Sequence, residues 1–337
     1  MNFLKALCIM LLLLTNNKLQ SQQNNFAPGI NLTGYERFWE DKELNYKDII
    51  ADIDKLHKQG IKDIRLPVSF EYQFEKKSKR RFLRDLIKIV KYIRKKEMTL
   101  IVCYFDHTLD RETNYTNIKT IKKNWKYISH KLKKYSNNVY YEIVNEPNLY
   151  PTQWDEMVHE IVSEIREEDK KTKILIGATN YNSIYELARK KPFPYKNLVY
   201  VFHFYEPFIF THQGADWGGN QTKTVAIPYP YDSIKMPEIN LKTLGTPGEI
   251  NYKDYKDMAN KTSLSHKINT IVKWAQQNNV ELWCTEFGAI NSIDPAYRCQ
   301  YFKDVISIFK ENNIKSYLWE YNGNFGIDNI TEIFDCM

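Results

Sequence analysis

The chain has 337 residues, of which 43% are hydrophobic, and its 24 Tyr and 7 Trp add to the material for a large buried core. The formal net charge of +7 comes from lysines spread over many predicted helix surfaces, with only short basic runs such as residues 76–81. That distribution is typical of a solvated charged face, so nucleic acid is not an expected partner. The length allows two domains, but α/β barrels often reach this size as one domain.

Residues 1–21 have the pattern of a secretory signal peptide. Lys5 precedes an apolar stretch at residues 6–14 that is too short to span a bilayer, and polar residues with a small Ser21 follow. We expect this segment to be removed, leaving residues 22–337 as one domain. The domain is expected to be secreted, extracellular or periplasmic, from a bacterium, and not held in a membrane.

From residue 29 onward, strand-like and helix-like segments alternate. Strands are predicted where β-branched and aromatic residues cluster, and helices where apolar residues recur every three or four positions, as at Ile49, Ile53 and Leu56. The predicted strands are residues 29–32, 61–68, 100–105, 139–144, 173–178, 197–205, 280–287 and 315–321. The predicted helices include residues 118–135, 154–168, 184–189, 265–278 and 295–312, with a short last helix near residues 330–334.

Eight strand–helix repeats predict an α/β fold, a closed (β/α)8 TIM barrel. A doubly wound open sheet is the alternative, but no glycine-rich phosphate loop follows the first strand. Residues 206–262 interrupt the alternation as a long loop after strand six, and loops of that length are usually functional or mobile. Phe208, His212 and Trp217 could shape a ligand cleft from this loop, or could simply pin it onto the barrel.

Polar and aromatic side chains stand near the carboxyl ends of six predicted strands, which meet at one mouth of such a barrel. Taken singly, Arg65 could be a salt bridge, His203 a core histidine and Trp319 plain packing. Together they predict an active site, because a hydrophobic core gains nothing from burying so many polar groups. In strand order the set is Arg65, then Asp106 and His107, then Asn145 and Glu146, then His203 and Tyr205, then Glu286, then Trp319.

The run "YYEIVNEPN" at residues 140–148 explains how one carboxylate is presented. Pro147 lacks the amide hydrogen that a strand needs, so the strand must end there and expose Glu146 at its end. Glu286 is expected at the corresponding end of strand seven. Two carboxylates facing each other across the mouth suggest glycoside hydrolysis by a paired acid and nucleophile.

Several short motifs resemble a known family. "VNEPN" with "TEFGA" is similar to the signature of a clan of barrel hydrolases whose acid/base and nucleophile end strands four and seven. "GINL", "IRLPV", "HFY" and "LWEY" further resemble glycoside hydrolase family 5, the cellulase-like family. "FHFYEPFIFTHQGADW" also resembles a stretch of its bacterial members. The resemblance covers residues 29–326.

The resemblance implies roles for individual residues. Glu146 would be the general acid/base and Glu286 the nucleophile, with Arg65 and Tyr205 donating hydrogen bonds to Glu286. Asn145 would hold the 2-hydroxyl of the sugar.

The resemblance also places His203 near Glu146 and His107 in the same subsite. Trp319 would be the floor on which the reacting sugar stacks. The family often shows paired histidines after strand three, whereas this sequence has Asp106-His107-Thr108. Further candidate sugar platforms are Tyr35, Trp39 and Trp217. Of the other nearby acids, we expect Glu142 to be paired inside the barrel and Glu320 to lie at the rim or be structural.

The sequence therefore predicts a secreted retaining β-glycosidase, most simply an endo-β-1,4-glucanase of the cellulase type, acting by double displacement. The expected partner is a β-linked polysaccharide or oligosaccharide, and no cofactor, metal or second subunit is expected. A β-mannanase or another β-glucanase of the same family is the enzymatic alternative. A catalytically silent carbohydrate-binding barrel is the alternative of another class.

Four cysteines follow the predicted signal segment, and export makes disulfides possible. Side-chain alternation predicts that Cys103 and Cys284 point inward from opposite strands, too far apart to bond, so both should be reduced. Cys299 and Cys336 could pair, and the sequence leaves that open.

Overall fold

The computed structural model of the protein describes residues 27–37, 40–105, 109, 111 and 118–326. Eight parallel strands close a barrel in which each strand pairs with its neighbours in chain order and the first pairs with the last. The predicted (β/α)8 TIM barrel is confirmed. The strands are β1 (Gly29–Asn31), β2 (Asp63–Val68), β3 (Thr99–Tyr104), β4 (Val139–Glu142), β5 (Ile174–Ile176), β6 (Leu198–Phe204), β7 (Glu281–Phe287) and β8 (Lys315–Leu318).

Helices pack around the barrel between the strands. They are α1 (Tyr46–Lys58), α2 (Phe70–Lys76), α3 (Lys79–Lys95), α4 (Ile118–Leu132), α5 (Pro151–Glu168), α6 (Ile184–Ala188), α7 (Phe208–Thr211), α8 (Pro247–Met258), α9 (Lys261–Asn278) and α10 (Pro295–Glu311). Helix α2 was not predicted, and the last predicted helix lies outside the described residues. None of the helices in this part of the chain is long and apolar enough to cross a membrane.

Two apolar regions hold the barrel together. The larger one lies between the strands and the helices, and alternate residues of most strands point into it. The smaller one fills the barrel interior below the mouth. Its members are Ile101, Cys103, Leu175, Val199, Val201, Trp283 and Tyr317, with Tyr140 packed against them.

A bulge in β7 breaks the alternation of side chains between Cys284 and Glu286. The pairing of β6 with β7 shifts register between Phe202 and His203, so that Phe202 faces Cys284 and His203 faces Glu286. Cys284 consequently joins the outer core with Phe202, which makes the prediction that it points inward wrong. Thr285 and Glu286, although consecutive, both reach the interior, as their contacts with His203 and Arg65 show.

The insertion after β6, predicted as a loop, contains α7 and α8 and is anchored to α10. The ring of Phe210 lies 5.3 Å from that of Tyr229 and 5.3 Å from that of Tyr301, between ring centroids. The hydroxyl of Tyr229 donates to Asp304 over 2.9 Å. These contacts hold part of the insertion firmly on the barrel.

The two cysteines of the barrel strands are reduced, as predicted. Cys103 and Cys284 are free and buried. Cys299 is disulfide-bonded. Its predicted partner, Cys336, lies outside the described residues.

Candidate active site

Arg65 lies deeper than predicted. It is the third residue of β2, not a residue of its carboxyl end, and its side chain is fully buried in the barrel interior. Its guanidinium is bound by both oxygens of Glu142, at 2.7 and 2.9 Å, which compensates the buried charge. The same group reaches up toward the mouth, where Nη1 donates to Oε1 of Glu286 over 2.6 Å.

Glu286, near the end of β7, is a buried carboxylate with partners on both oxygens. Oε1 is bound by Arg65, and Oε2 accepts a hydrogen bond of 2.9 Å from the hydroxyl of Tyr205. Burial raises the pKa of Glu286 above the ordinary value of 4.5, and the charge of Arg65 and the Tyr205 hydrogen bond oppose this rise. Burial and the nearby carboxylates raise the pKa of Tyr205, so its hydroxyl keeps the proton it donates.

Glu146 stands in a loop four residues beyond the end of β4, with a left-handed backbone (φ 43°). The intervening backbone still bonds to both neighbouring strands, through Ile143 to Leu175 and through Asn145 to Tyr104. This pairing extends the sheet to the mouth and holds the loop in place. The carboxylate is partly exposed, and its Oε1 lies 2.6 Å from Nδ1 of His203.

The two predicted catalytic carboxylates meet at His203. A carboxylate oxygen of Glu146, a ring nitrogen of His203 and a carboxylate oxygen of Glu286 all lie within 4.8 Å of one another. Nδ1 of His203 is 2.6 Å from Glu146 and 3.4 Å from Oε2 of Glu286. Two carboxylates and an imidazole could also approach a divalent cation. In this arrangement, however, the carboxylates already have Arg65, Tyr205 and His203 as partners.

The other edge of His203 is held by two residues that sequence reasoning missed. Nε2 lies 3.1 Å from Nδ2 of Asn182 and 3.2 Å from Oγ1 of Thr285. Thr285 reaches the interior in alternation with Trp283, and Asn182 reaches it because of a left-handed turn after β5. That turn has no clear sequence signal, although a polar asparagine just after an apolar strand is a weak one.

Two asparagines orient Arg65. Oδ1 of Asn145 and Oδ1 of Asn31 accept hydrogen bonds from its guanidinium, at 2.6 and 2.7 Å. Because the oxygen of Asn145 is engaged, its NH2 group is the end left for a ligand. Asn31 is a third missed residue, and it also donates to the backbone oxygens of Thr285 and Leu318. It therefore ties β1 to β7 and β8 beneath the mouth.

The start of the insertion packs beside Tyr205, the residue that donates to Glu286. The ring of His212 stacks on Phe208 at 4.0 Å and lies 5.2 Å from Tyr205 and 5.1 Å from Phe325, between centroids. Enclosure by these rings lowers the pKa of His212 from 6.5 to about 3, so it stays neutral. His212 therefore supports Tyr205, in line with the pinning role considered for it.

The predicted sugar platforms differ in exposure. Trp319 follows β8 directly and is 7% exposed, Tyr35 is 5% exposed, and Trp217 in the insertion is 40% exposed with its ring 6.1 Å from Phe325. Stacking on any of them remains a prediction. His107 and Trp39, like Asp106, lie outside the described residues.

The two remaining acids behave as expected. Glu142 is fully buried and paired with Arg65 inside the barrel. Glu320 is buried and accepts a hydrogen bond of 2.7 Å from Thr33. Burial raises the pKa of Glu320 to about 7.

A (β/α)8 barrel with two close carboxylates at the carboxyl ends of β4 and β7 is the architecture of a class of barrel glycoside hydrolases. Residues 19–325 match the model of the family described as Cellulase (glycosyl hydrolase family 5). The chain therefore belongs to glycosyl hydrolase family 5, as its motifs predicted.

Individual proteins agree with this assignment. Endoglucanase 3 of Fibrobacter succinogenes is 27% identical over 92% of this chain and 52% of its own length. Endoglucanase C of Acetivibrio thermocellus is 30% identical over 58% of this chain and 57% of its own length. The chain thus spans about half the length of these relatives. The crystal structure of an endoglucanase from Thermotoga maritima superposes with a TM-score of 0.75, at 20% identity, covering 94% of this chain and 98% of that one.

Proposed function

We propose that this protein is a retaining β-glycanase that cleaves β-1,4-glucan chains internally by double displacement. The observation that carries the proposal is the spacing of Glu146 and Glu286, which bring one oxygen each within 4.8 Å. Retaining pairs are separated by about 5–5.5 Å and inverting pairs by about 6.5–9.5 Å, since an inverting enzyme needs room for a water. The short spacing supports a direct attack by one carboxylate.

The different surroundings of the carboxylates assign their roles. Glu286 is buried, with Arg65 on one oxygen and Tyr205 on the other, and both partners favour the charged form that a nucleophile needs. Glu146 is more exposed and faces the ring of His203. It is therefore placed to protonate a leaving oxygen.

In the first step, an oxygen of Glu286 attacks the anomeric carbon while Glu146 gives its proton to the glycosidic oxygen, and the bond to the leaving sugar breaks. In the second step, Glu146 takes a proton from water, which attacks the same carbon and releases Glu286. The two inversions leave the β configuration unchanged. Asn145 would hold the 2-hydroxyl through its NH2 group, and Trp319 would carry the sugar ring.

Export and assembly are part of the same proposal. We infer that residues 1–21 are a signal peptide and that the enzyme acts outside the bacterial cytoplasm as a monomer, without a cofactor. The two endoglucanase relatives come from bacteria, which supports the assignment of origin.

The substrate is tested with a panel of soluble polysaccharides: substituted cellulose, mixed-linkage glucan, xyloglucan and mannan. Mannan belongs in the panel because a structural neighbour, a Thermotoga maritima protein, has been crystallised with mannotriose as well as with cellobiose. We expect the highest turnover on β-1,4-glucan, with oligosaccharides of mixed length as the first products. Preference for mannan would replace the glucanase assignment by the mannanase one.

The control for the panel is a double variant that combines Glu146→Gln and Glu286→Gln. This double variant keeps the shape of the site and removes both acids, so any residual activity of the preparation comes from elsewhere. Binding without hydrolysis by the unaltered protein would favour the silent carbohydrate-binding barrel.

A further inference from the structure

A left-handed turn between β5 and α6 carries a buried asparagine into the active site. Asn180, Tyr181 and Asn182 have φ angles of 57°, 60° and 54°. Residues with a Cβ are disfavoured in this region, asparagine less than most. Asn180 and Tyr181 are exposed, whereas Asn182 is fully buried. The strained turn therefore ends in a side chain that points inward.

The environment of Asn182 orients its amide group. Its Nδ2 lies 3.1 Å from Nε2 of His203, and its Oδ1 lies against Gly177, where an added Cβ would come within 1.9 Å of it. The bare Cα of Gly177 thus offers a weak C–H···O contact to an oxygen that has no hydrogen-bond partner among the described residues. Turning the amide would bury its NH2 group against this carbon, and an unsatisfied buried donor is rarer than an unsatisfied carbonyl.

This orientation sets the tautomer of His203. An amide nitrogen only donates, so Nε2 must accept and the neutral ring carries its hydrogen on Nδ1. The hydroxyl of Thr285, 3.2 Å from the same Nε2, is able to donate as well. The N–H of Nδ1 then points at Oε1 of Glu146, 2.6 Å away.

We propose that Asn182 is a positioning residue for the acid/base Glu146 and acts through His203, an inference that rests on the function proposed above. With Oε1 of Glu146 accepting from His203, the carboxyl proton is held on Oε2, the oxygen left for the leaving group. Without Asn182, His203 can move its hydrogen to Nε2. Its Nδ1 would then accept the proton of Glu146, which would no longer be available to the leaving group.

The kinetic test compares Asn182→Ala with Asn180→Ala. Both replace a left-handed asparagine in the same turn, so they share the backbone cost, but only Asn182 reaches His203. Each is assayed on phenyl β-cellobioside, whose phenol leaving group needs a proton to depart. Each is also assayed on the 2,4-dinitrophenyl analogue, whose leaving group departs without one. General acid catalysis contributes about 10²–10⁴-fold, so Asn182→Ala should lose about 10-fold or more on the phenyl substrate and little on the other.

Asn180→Ala should change both rates by the same small factor. An equal loss on the two substrates in Asn182→Ala would mean that Asn182 is only structural and would overturn the proposal.

A second measurement needs neither turnover nor a folded variant at Asn182. The wild-type protein, labelled with ¹⁵N-histidine, is studied by NMR at neutral pH, with His203 assigned from the spectrum of His203→Gln. We expect a protonated Nδ1 and an unprotonated Nε2. An Nε2–H tautomer or a doubly protonated ring would overturn the proposal. Since this result does not depend on hydrolysis, a protein without glucanase activity would count against the proposed function alone.

Discussion

Nη1 of Arg65 donates to Oε1 of Glu286 over 2.6 Å, while Nε and Nη2 of the same guanidinium hold both oxygens of Glu142. One buried cation therefore serves two carboxylates, a structural one below and a candidate nucleophile above. This sharing couples the stability of the barrel to the chemistry at its mouth.

Arg65→Leu should destabilise the fold and disturb the site together. Removing one partner of a buried ion pair costs about 3–5 kcal/mol, because the other charge is left uncompensated. The free energy of unfolding is measured by urea titration, with Arg84→Leu as the control. Arg84 is 62% exposed, and its loss should cost no more than about 0.5 kcal/mol. An Arg65→Leu protein as stable as wild type would show that Glu142 does not depend on this cation.

Tyr205→Phe tests how the Tyr205 hydroxyl affects the pKa of Glu286 while the aromatic ring is kept. The ring keeps its place beside His212 and Phe325, and only the hydrogen bond to Oε2 is lost. That bond lowers the pKa of Glu286, so its loss should move the acidic limb of log(kcat/KM) to higher pH. Hydrogen bonds to charged groups contribute about 1.5–3 kcal/mol, so kcat/KM should fall roughly 10- to 100-fold.

The control for this profile is Tyr185→Phe on α6, where the side chain is 46% exposed. Its profile should match that of the wild type. An unmoved acidic limb in Tyr205→Phe would mean that Tyr205 does not tune the nucleophile.

Glu320 makes the fold sensitive to pH in a defined window. Burial raises its pKa from 4.5 to about 7, so the folded protein binds this proton more tightly than the unfolded chain does. Its contribution to stability is complete below 4.5 and is lost as the pH rises through about 7. Glu320→Gln, which cannot ionise, should make the melting temperature less dependent on pH across that window.

The control is Glu311→Gln, where the side chain is 58% exposed. Its melting temperature should depend on pH with the same slope as that of the wild type. If Glu320→Gln keeps that slope too, the charged form of Glu320 is not what destabilises the fold.

The sequence predicted the barrel because its strands are apolar runs separated by helices with a clear period. It missed α2, which has only seven residues and ends just before α3 begins. It also missed α8, because that helix buries only Gly248 and Tyr255 among its twelve residues and so lacks an apolar stripe.

At the site, Glu146, Glu286, His203 and Tyr205 could be predicted because they stand near strand ends and match family motifs. Thr285 could not, since alternation counted back from Glu286 places it on the outer face, and the sequence does not show the bulge that lets both residues face inward. Asn182 could not either, because its direction depends on a left-handed turn that tertiary contacts hold in place.

Azide should separate the roles of the two carboxylates. Glu286→Ala should lose several orders of magnitude in rate, and azide should restore turnover with an inverted glycosyl azide, because the small anion takes the place of the lost nucleophile. Glu146→Ala, assayed on an activated substrate, should instead yield an azide of retained configuration. Near-normal hydrolysis by Glu286→Ala without azide would make the nucleophile assignment wrong.

The most direct test of double displacement is to trap the glycosyl-enzyme itself. A 2-deoxy-2-fluoro-β-cellobioside with a dinitrophenyl leaving group should form the covalent intermediate quickly and hydrolyse it slowly. Mass spectrometry of the intact protein should then show one added fluorocellobiosyl group, and peptide analysis should place it on Glu286. A label on Glu146 or on another residue, or hydrolysis with inversion and no adduct, would contradict the double-displacement mechanism proposed for this chain.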